Sequence, residues 1–273
     1  MRLATIRTAR GPRAVRVDPD RAVETGHPDV GALLADPAWA RLAAEAGGPT
    51  HHTAGLDYAP VVPRPGKLIC VGVNFHAHIR EMGREVPRYP TVFAKYPEAL
   101  IGAYDDIVLP SASQAMDWEA ELAVVVGAPV RHADEASAEA AIAGYTVLND
   151  VTARDWQYRT LQWLQGKNFE ATTPIGPHLV TPDEAGTGLE LTCTLDGETM
   201  QTANTADLVF GPATTLAYLS TILTLNPGDV VSLGTPGGVG HARKPPRYLQ
   251  PGQLLVTTIA GVGECRNMCV TEK

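Results

Sequence analysis

The chain has 273 residues, 44% of them apolar and 6% aromatic, and its 30 acidic against 22 basic side chains leave a formal charge of −8. That length suits one large domain, or a large domain with a small appendage. The acidic balance argues against nucleic acid as a partner, and no apolar run reaches the length of a membrane span.

Arg2, Arg7, Arg10 and Arg13 crowd the N-terminus, but no apolar segment follows as in a secretory signal. Two strands, 3–6 and 14–17 around Gly11-Pro12, are preferred here to an organelle transit peptide. A helical pattern over 30–46 is interrupted at Pro37, and the proline-rich stretch 60–65 reads as a linker. The expected division is a small N-terminal domain over 1–60 and a main domain over 61–273. In the latter, 67–73 reads as a buried strand, 74–82 as helical and 93–110 as loop-like. Further on, 133–143 and 152–164 read as helices, and 189–195 and 198–201 as strands joined at Asp196-Gly197, a strong hairpin signal. A helix over 212–223 precedes strands at 230–233, 254–259 and 264–270. Many short strands with few helices predict a β-rich sandwich or rolled sheet. Cys70, Cys193, Cys265 and Cys269 lack C-x-x-C spacing and are expected to be reduced thiols in a cytoplasmic protein.

The most informative segment is Asp117-Trp-Glu-Ala-Glu121, which runs directly into the apolar residues 122–126. Side chains alternate along a strand, so Asp117, Glu119 and Glu121 are predicted to share a face, with neighbours about 6.5–7 Å apart. Unpaired, such carboxylates repel one another and resist desolvation. Asn149-Asp150 ends a second apolar stretch and offers another carboxylate. An all-oxygen set suits Mg²⁺, Mn²⁺ or Ca²⁺ rather than zinc. The bland alternative is that these acids cap strands and face solvent.

His78 precedes Glu81 by three residues, so on a helix the two share a face and can pair, which orients an imidazole as a general base requires. The glycine-dense run 234–240 permits close approach of a ligand to the backbone, but it is not a dinucleotide fingerprint. Gly166-Lys167 is not a phosphate loop, because Leu161 stands where a glycine is needed. No G-x-S-x-G elbow is present.

Taken in order from about residue 60 to the C-terminus, several segments resemble the fumarylacetoacetate hydrolase family. They are the run 67–75 (KLICVGVNF), 117–124 (DWEAELAV), 144–155 (GYTVLNDVTARD) and Gly166-Lys-Asn-Phe169. Asn204-Thr205 with Asp207, Pro227-Gly-Asp229 and 234–240 (GTPGGVG) continue the series. The similarity is to the shorter branch of acylpyruvases, oxaloacetate decarboxylases and catechol-pathway isomerases. It implies a β-rich α+β fold with a rolled mixed sheet, a homodimer, and Mg²⁺ or Mn²⁺ held by Glu119, Glu121 and Asp150. It also implies a His78–Glu81 dyad on a mobile lid, and it matches Lys167, Gln157 and Thr235, with Gly234 beside it, to residues holding substrate oxygens. The implied substrate is a small 2-oxo acid. Hydrolysis of an acylpyruvate-like C–C bond through an enolate leads; decarboxylation or isomerisation of an oxo-dicarboxylate from aromatic ring cleavage uses the same site. A non-catalytic, metal-stabilised scaffold is the alternative of another class. Phe75, His76 and Glu170 depart from residues common in the family, and Arg84, Arg88 and Tyr89 are candidates for a second substrate carboxylate.

Overall fold

The computed structural model describes residues 1–81, 83 and 85–273, without the side chain of Glu81. The chain opens with β1 (Arg2–Thr8), β2 (Gly11–Val17) and β3 (Arg21–Glu24), then α1 (Val30–Leu34), α2 (Trp39–Ala44) and β4 (Thr50–His52). Asp29 caps α1 by accepting the N–H of Ala32 at 2.8 Å, and Pro37 separates the two helices as the sequence predicts.

Next come β5 (Leu68–Gly72), α3 (His76–Glu81), β6 (Thr91–Lys95), β7 (Leu100–Ile101), β8 (Ile107–Leu109), β9 (Met116–Asp117) and β10 (Ala120–Val126). The segment predicted to be loop-like thus holds short strands. The centre of the chain supplies α4 (Glu135–Ala140), β11 (Ile142–Asn149), β12 (Thr152–Ala153), α5 (Arg154–Gln157), α6 (Leu164–Lys167) and β13 (Thr173–Val180). One continuous helix over 152–164 does not form. Arg159, Thr160 and the almost fully exposed Leu161 offer no packed face to extend α5. The last third contains α7 (Pro182–Ala185), β14 (Glu190–Leu195), β15 (Glu198–Asn204), α8 (Pro212–Ile222), β16 (Val230–Ser232), β17 (Leu254–Ile259) and β18 (Gly263–Thr271). Asp196 and Gly197, with φ of 52° and 83°, make the predicted hairpin turn between β14 and β15.

The main sheet runs β4-β3-β2-β1-β13-β11-β10-β16-β5-β6, with β7 added beside β13, and β15-β14-β17-β18-β8 forms a second sheet. Parallel pairs such as β5–β16 and antiparallel pairs such as β10–β11 make it mixed, and the whole is a β-rich α+β fold. Strand β10 lies at its centre and is buried along its full length. Leu122, Val124 and Val126 enter the core shared with Leu191, Leu255 and Cys265 of the second sheet. Ala123 and Val125 enter another core with Leu3, Leu33, Leu34 and Val61. A strand apolar on both faces is what such a sandwiched position demands. All four cysteines are free and buried. Among the described residues, no helix is long and apolar enough to cross a membrane.

Candidate metal centre and active site

The antiparallel register of β10 and β11 sets Ala120 opposite Asn149, and the N–H of Asp150 donates to the carbonyl of Glu119 at 2.8 Å. Asn149 accepts the N–H of Glu119 through its side chain at 2.9 Å. These bonds bring two strand ends together, so that Glu119, Glu121 and Asp150 converge. One carboxylate oxygen from each lies within 4.8 Å of the others, and all three residues are buried.

Asp117 is not part of this group, although alternation predicts one face for all three acids of the motif. The strand breaks after β9, where Asp117 pairs with Thr152. Its carboxylate accepts the backbone N–H groups of Trp118, Gly240 and His241 and the Nε–H of Arg154. It anchors the glycine-dense loop.

Three cations thread the cluster. Lys167 Nζ reaches Glu119 Oε2 at 2.6 Å and Asp150 Oδ2 at 2.7 Å; Lys95 Nζ reaches Asp150 Oδ1 at 2.7 Å. Arg154 Nη2 meets Glu119 Oε1 at 2.6 Å. Glu121 is held by neutral donors instead, the hydroxyl of Ser232 and, at 3.0 Å, the N–H of Gly234. Among the described residues, four carboxylates, counting Asp117, face three cations, so with every acid ionised one negative charge is left uncompensated in a buried site. The charges sort the acids. Burial pushes Asp150 upward, but Lys167 and Lys95 outweigh it and bring the carboxyl down to about 2. Burial pushes Glu121 well above the carboxylate range, and the neighbouring charges of Asp150 and Glu119 push it further. Lys167 is raised because Asp150 and Glu119 overcome the burial that opposes its charge.

Glu121 is therefore the acid that calls for another positive charge. Each oxygen of Glu119 and Asp150 takes one cation and keeps a second lone pair, whereas Glu121 accepts both of its hydrogen bonds on Oε2 and keeps Oε1 for a ligand. An all-carboxylate donor set of this reach fits a hard divalent cation such as Mg²⁺ or Mn²⁺.

A cavity of about 100 Å³ opens on Glu119 and Glu121, and His78, Gln157, Lys167 and Thr235 also line it. Gln157 accepts from Arg154 at 3.0 Å; the Thr235 hydroxyl donates to the carbonyl of Ala120 at 3.0 Å and accepts from Gln201 at 2.8 Å. His78 sits in α3, whose last residue is Glu81, so the backbone spacing of the expected dyad is met. The side chain of Glu81, and Arg84, lie outside the described residues. Asn74 fixes the start of α3 by donating to the carbonyls of Phe210 and Leu233 and accepting the N–H of Phe210. His76 is partly exposed at the beginning of α3. Arg88 lies over the ring of Tyr89, with its guanidinium 5.2 Å from the centroid, and neither residue lines the cavity.

Lys95, Arg154, Ser232 and Asn74 carry the site without having been assigned a role from sequence. Arg154 lies in the quoted TARD run, whereas Lys95 falls in a segment read as loop. A larger cleft, about 800 Å³, lies by Arg2, Arg16, Tyr58 and His178 and holds none of the triad. Its arginines are already paired, Arg2 with Glu184 at 2.6 Å and Arg16 with Asp18 at 2.9 Å.

The family model for the fumarylacetoacetate (FAA) hydrolase C-terminal domain matches residues 67–270. A human mitochondrial protein named oxaloacetate tautomerase FAHD2A is 41% identical over 235 residues, 85% of this chain and 75% of that protein. Fumarylacetoacetate hydrolase from psychrophilic Exiguobacterium antarcticum superposes with a TM-score of 0.89 at 28% identity, covering all of both chains. So does 5-carboxymethyl-2-hydroxymuconate delta-isomerase from Mycobacterium smegmatis, at 0.84 and 30%.

Proposed function

Because the chain belongs to the fumarylacetoacetate hydrolase family, we propose that it acts on a 2-oxo acid through an enolate, shifting a proton at the carbon next to the oxo group of an oxaloacetate-like diacid. The observation that carries this reading is the convergence of Glu119, Glu121 and Asp150 beside Lys167 at the floor of a small cavity. The identity of the human tautomerase supports the choice of reaction. The triad would hold Mg²⁺ or Mn²⁺, which when bound supplies a Lewis acid for the oxo oxygen. Lys167 offsets negative charge as the enolate develops. Gln157 and Thr235 orient the carboxylate end, while Gly234, expected beside them, stands outside the cavity lining and acts through its N–H on Glu121. His78, with Glu81 as the partner the family resemblance implies, takes the proton from the substrate carbon and delivers it to the enolate oxygen, and the reverse steps turn enol into oxo acid.

Hydrolysis of an acylpyruvate is the second reading. There His78 deprotonates a water, the water attacks the distal carbonyl, and cleavage of the C–C bond leaves pyruvate enolate. The surface that favours it is apolar: Val73, Phe93 and Trp163 line the cavity and suit a neutral acyl group better than a second carboxylate. Both readings carry a homodimer with them, which sedimentation equilibrium checks.

The deciding experiment follows enol absorbance of oxaloacetate and acetylpyruvate with Mg²⁺, Mn²⁺ or EDTA, with products identified. Metal-dependent loss of the oxaloacetate enol signal without CO₂ supports tautomerisation. Pyruvate plus acetate from acetylpyruvate selects hydrolysis, and pyruvate plus CO₂ from oxaloacetate selects decarboxylation. Silence on every substrate leaves a non-catalytic scaffold.

A further inference from the structure

We infer that Trp163 is the specificity-determining residue of this site, an indole wall that restricts the 2-oxo acid to a short chain. The inference rests on the substrate class proposed above, but not on which reaction is run.

Trp163 caps the N-terminus of α6, and Lys167 lies four residues later. That spacing puts the indole and the ammonium on one face of the turn. The ring is fixed on two sides. A Cβ at Gly72 would stand 2.5 Å from indole Cζ3, so the absence of a side chain there is what lets the ring seat against β5. Phe93 meets Trp163 edge-on, with centroids 5.5 Å apart, and the same Phe93 ring lies 4.8 Å from Lys167 Nζ. Phe93 and Lys95 are two apart on β6 and share its face, and Lys95 is anchored on Asp150. The wall is thus tied to the charges that hold the head of the substrate.

The partly open cavity between this wall and His78 measures about 100 Å³. Sites for drug-sized ligands run to roughly 300–1,000 Å³. With its carboxylate and oxo group at the charged floor, an acid that grows by a few carbons meets the indole, and the glycine contact denies the ring a retreat toward β5.

The test uses Mn²⁺-loaded wild type, Trp163→Ala and Trp163→Phe. Turnover is measured on acylpyruvates from acetyl to octanoyl, and binding of oxamate and N-butyloxamate by titration calorimetry. In the wild type, kcat/KM should fall steeply with acyl length, and oxamate should bind more tightly than its butyl derivative. Trp163→Ala should raise the long-to-short ratio roughly tenfold or more, the worth of a methylene newly accommodated, with Trp163→Phe between. Should Trp163→Ala fail to fold, Trp163→Phe and Trp163→Leu carry the same comparison. An unchanged length profile in a variant that still binds oxamate overturns the inference, as does equal wild-type affinity for the two oxamates. If the wild type turns over nothing, yet prefers oxamate and loses that preference in Trp163→Ala, the proposed reaction falls and the role of Trp163 stands.

Discussion

Glu121 and Asp150 touch the same site and respond to pH with opposite signs. Asp150, drawn down to about 2 against its burial by Lys167 and Lys95, stabilises the fold above its unfolded value of about 3.9 and loses that contribution as pH falls through the folded one. Glu121 is raised by burial and by the charges of Asp150 and Glu119, so the folded state binds its proton more tightly than the unfolded chain does. Its contribution to stability therefore declines as pH rises above the ordinary glutamate value of about 4.3. A divalent cation among the three carboxylates favours the ionised form and should remove that decline. Melting temperatures in EDTA are expected to drop more steeply between about pH 5 and 8 than with Mg²⁺ or Mn²⁺, and Glu121→Gln should flatten the EDTA curve. Parallel curves with and without metal would contradict this account. Lys95 makes a second prediction. It is fully buried against Asp150, and Lys95→Met removes one of the two cations holding that carboxylate. Breaking a buried pair costs about 3–5 kcal/mol, and the lower end is expected because Lys167 remains. Urea unfolding in EDTA measures it, and a loss below about 1 kcal/mol would mean that Lys167 alone neutralises Asp150.

At the scale of elements, the glycine-dense loop after β16 works through one backbone position. Gly234 has φ of 91°, its N–H holds Glu121, and a Cβ there would lie 2.7 Å from the carbonyl of Val71. Gly234→Ala should cost about 1–3 kcal/mol in backbone strain. It should also weaken Mn²⁺ binding about 10–100-fold, the usual effect of losing a bond that orients a metal ligand. Gly252→Ala is the control, because Gly252 also has positive φ, at 85°, but no atom within 4 Å of the added carbon. Similar Mn²⁺ affinities in the two variants, read by calorimetry, would remove the link between this loop and Glu121. The contrast also explains what was legible from sequence. The convergence of Glu119, Glu121 and Asp150 could be read because they stand at the ends of long apolar strands, where burial rules out a solvent-facing role. The hairpin at Asp196-Gly197 could be read because both residues tolerate positive φ. Lys95 could not, because a short edge strand among prolines has no periodicity to show. Asp117 misled, since alternation holds only within one unbroken strand and the break after β9 redirects it to Arg154. The gap between α5 and α6, which places Trp163, depends on tertiary packing that local pattern does not encode.

Across the whole molecule, the division expected near residue 60 meets a continuous sheet. Strand β1 hydrogen-bonds to β13, setting Arg2 opposite Val180 and Leu3 opposite Leu179, so the N-terminal strands extend the sheet that carries the site. One core joins Leu3, Val30, Leu33 and Leu34 to Leu68, Val125, Leu148 and Val230. Burial of each such side chain contributes about 1.5–3 kcal/mol relative to exposure. Removing residues 1–60 would uncover the back of β10 and β11, the two strands whose ends bring Glu119 and Asp150 together. We therefore expect the N-terminal strands and the remainder to unfold as one cooperative unit, with the metal site coupled to both. Urea unfolding followed by far-ultraviolet circular dichroism and by tryptophan fluorescence should give coincident transitions. Trp39 lies in the N-terminal part and Trp118 in the main part, so single-tryptophan variants retaining one or the other can report on each separately. Saturating Mn²⁺ should move both transitions to higher urea together, because a ligand that binds only the folded state stabilises the entire cooperative unit. A shift at Trp118 with Trp39 left behind would instead establish two independently folding parts, with the metal site belonging to the second alone.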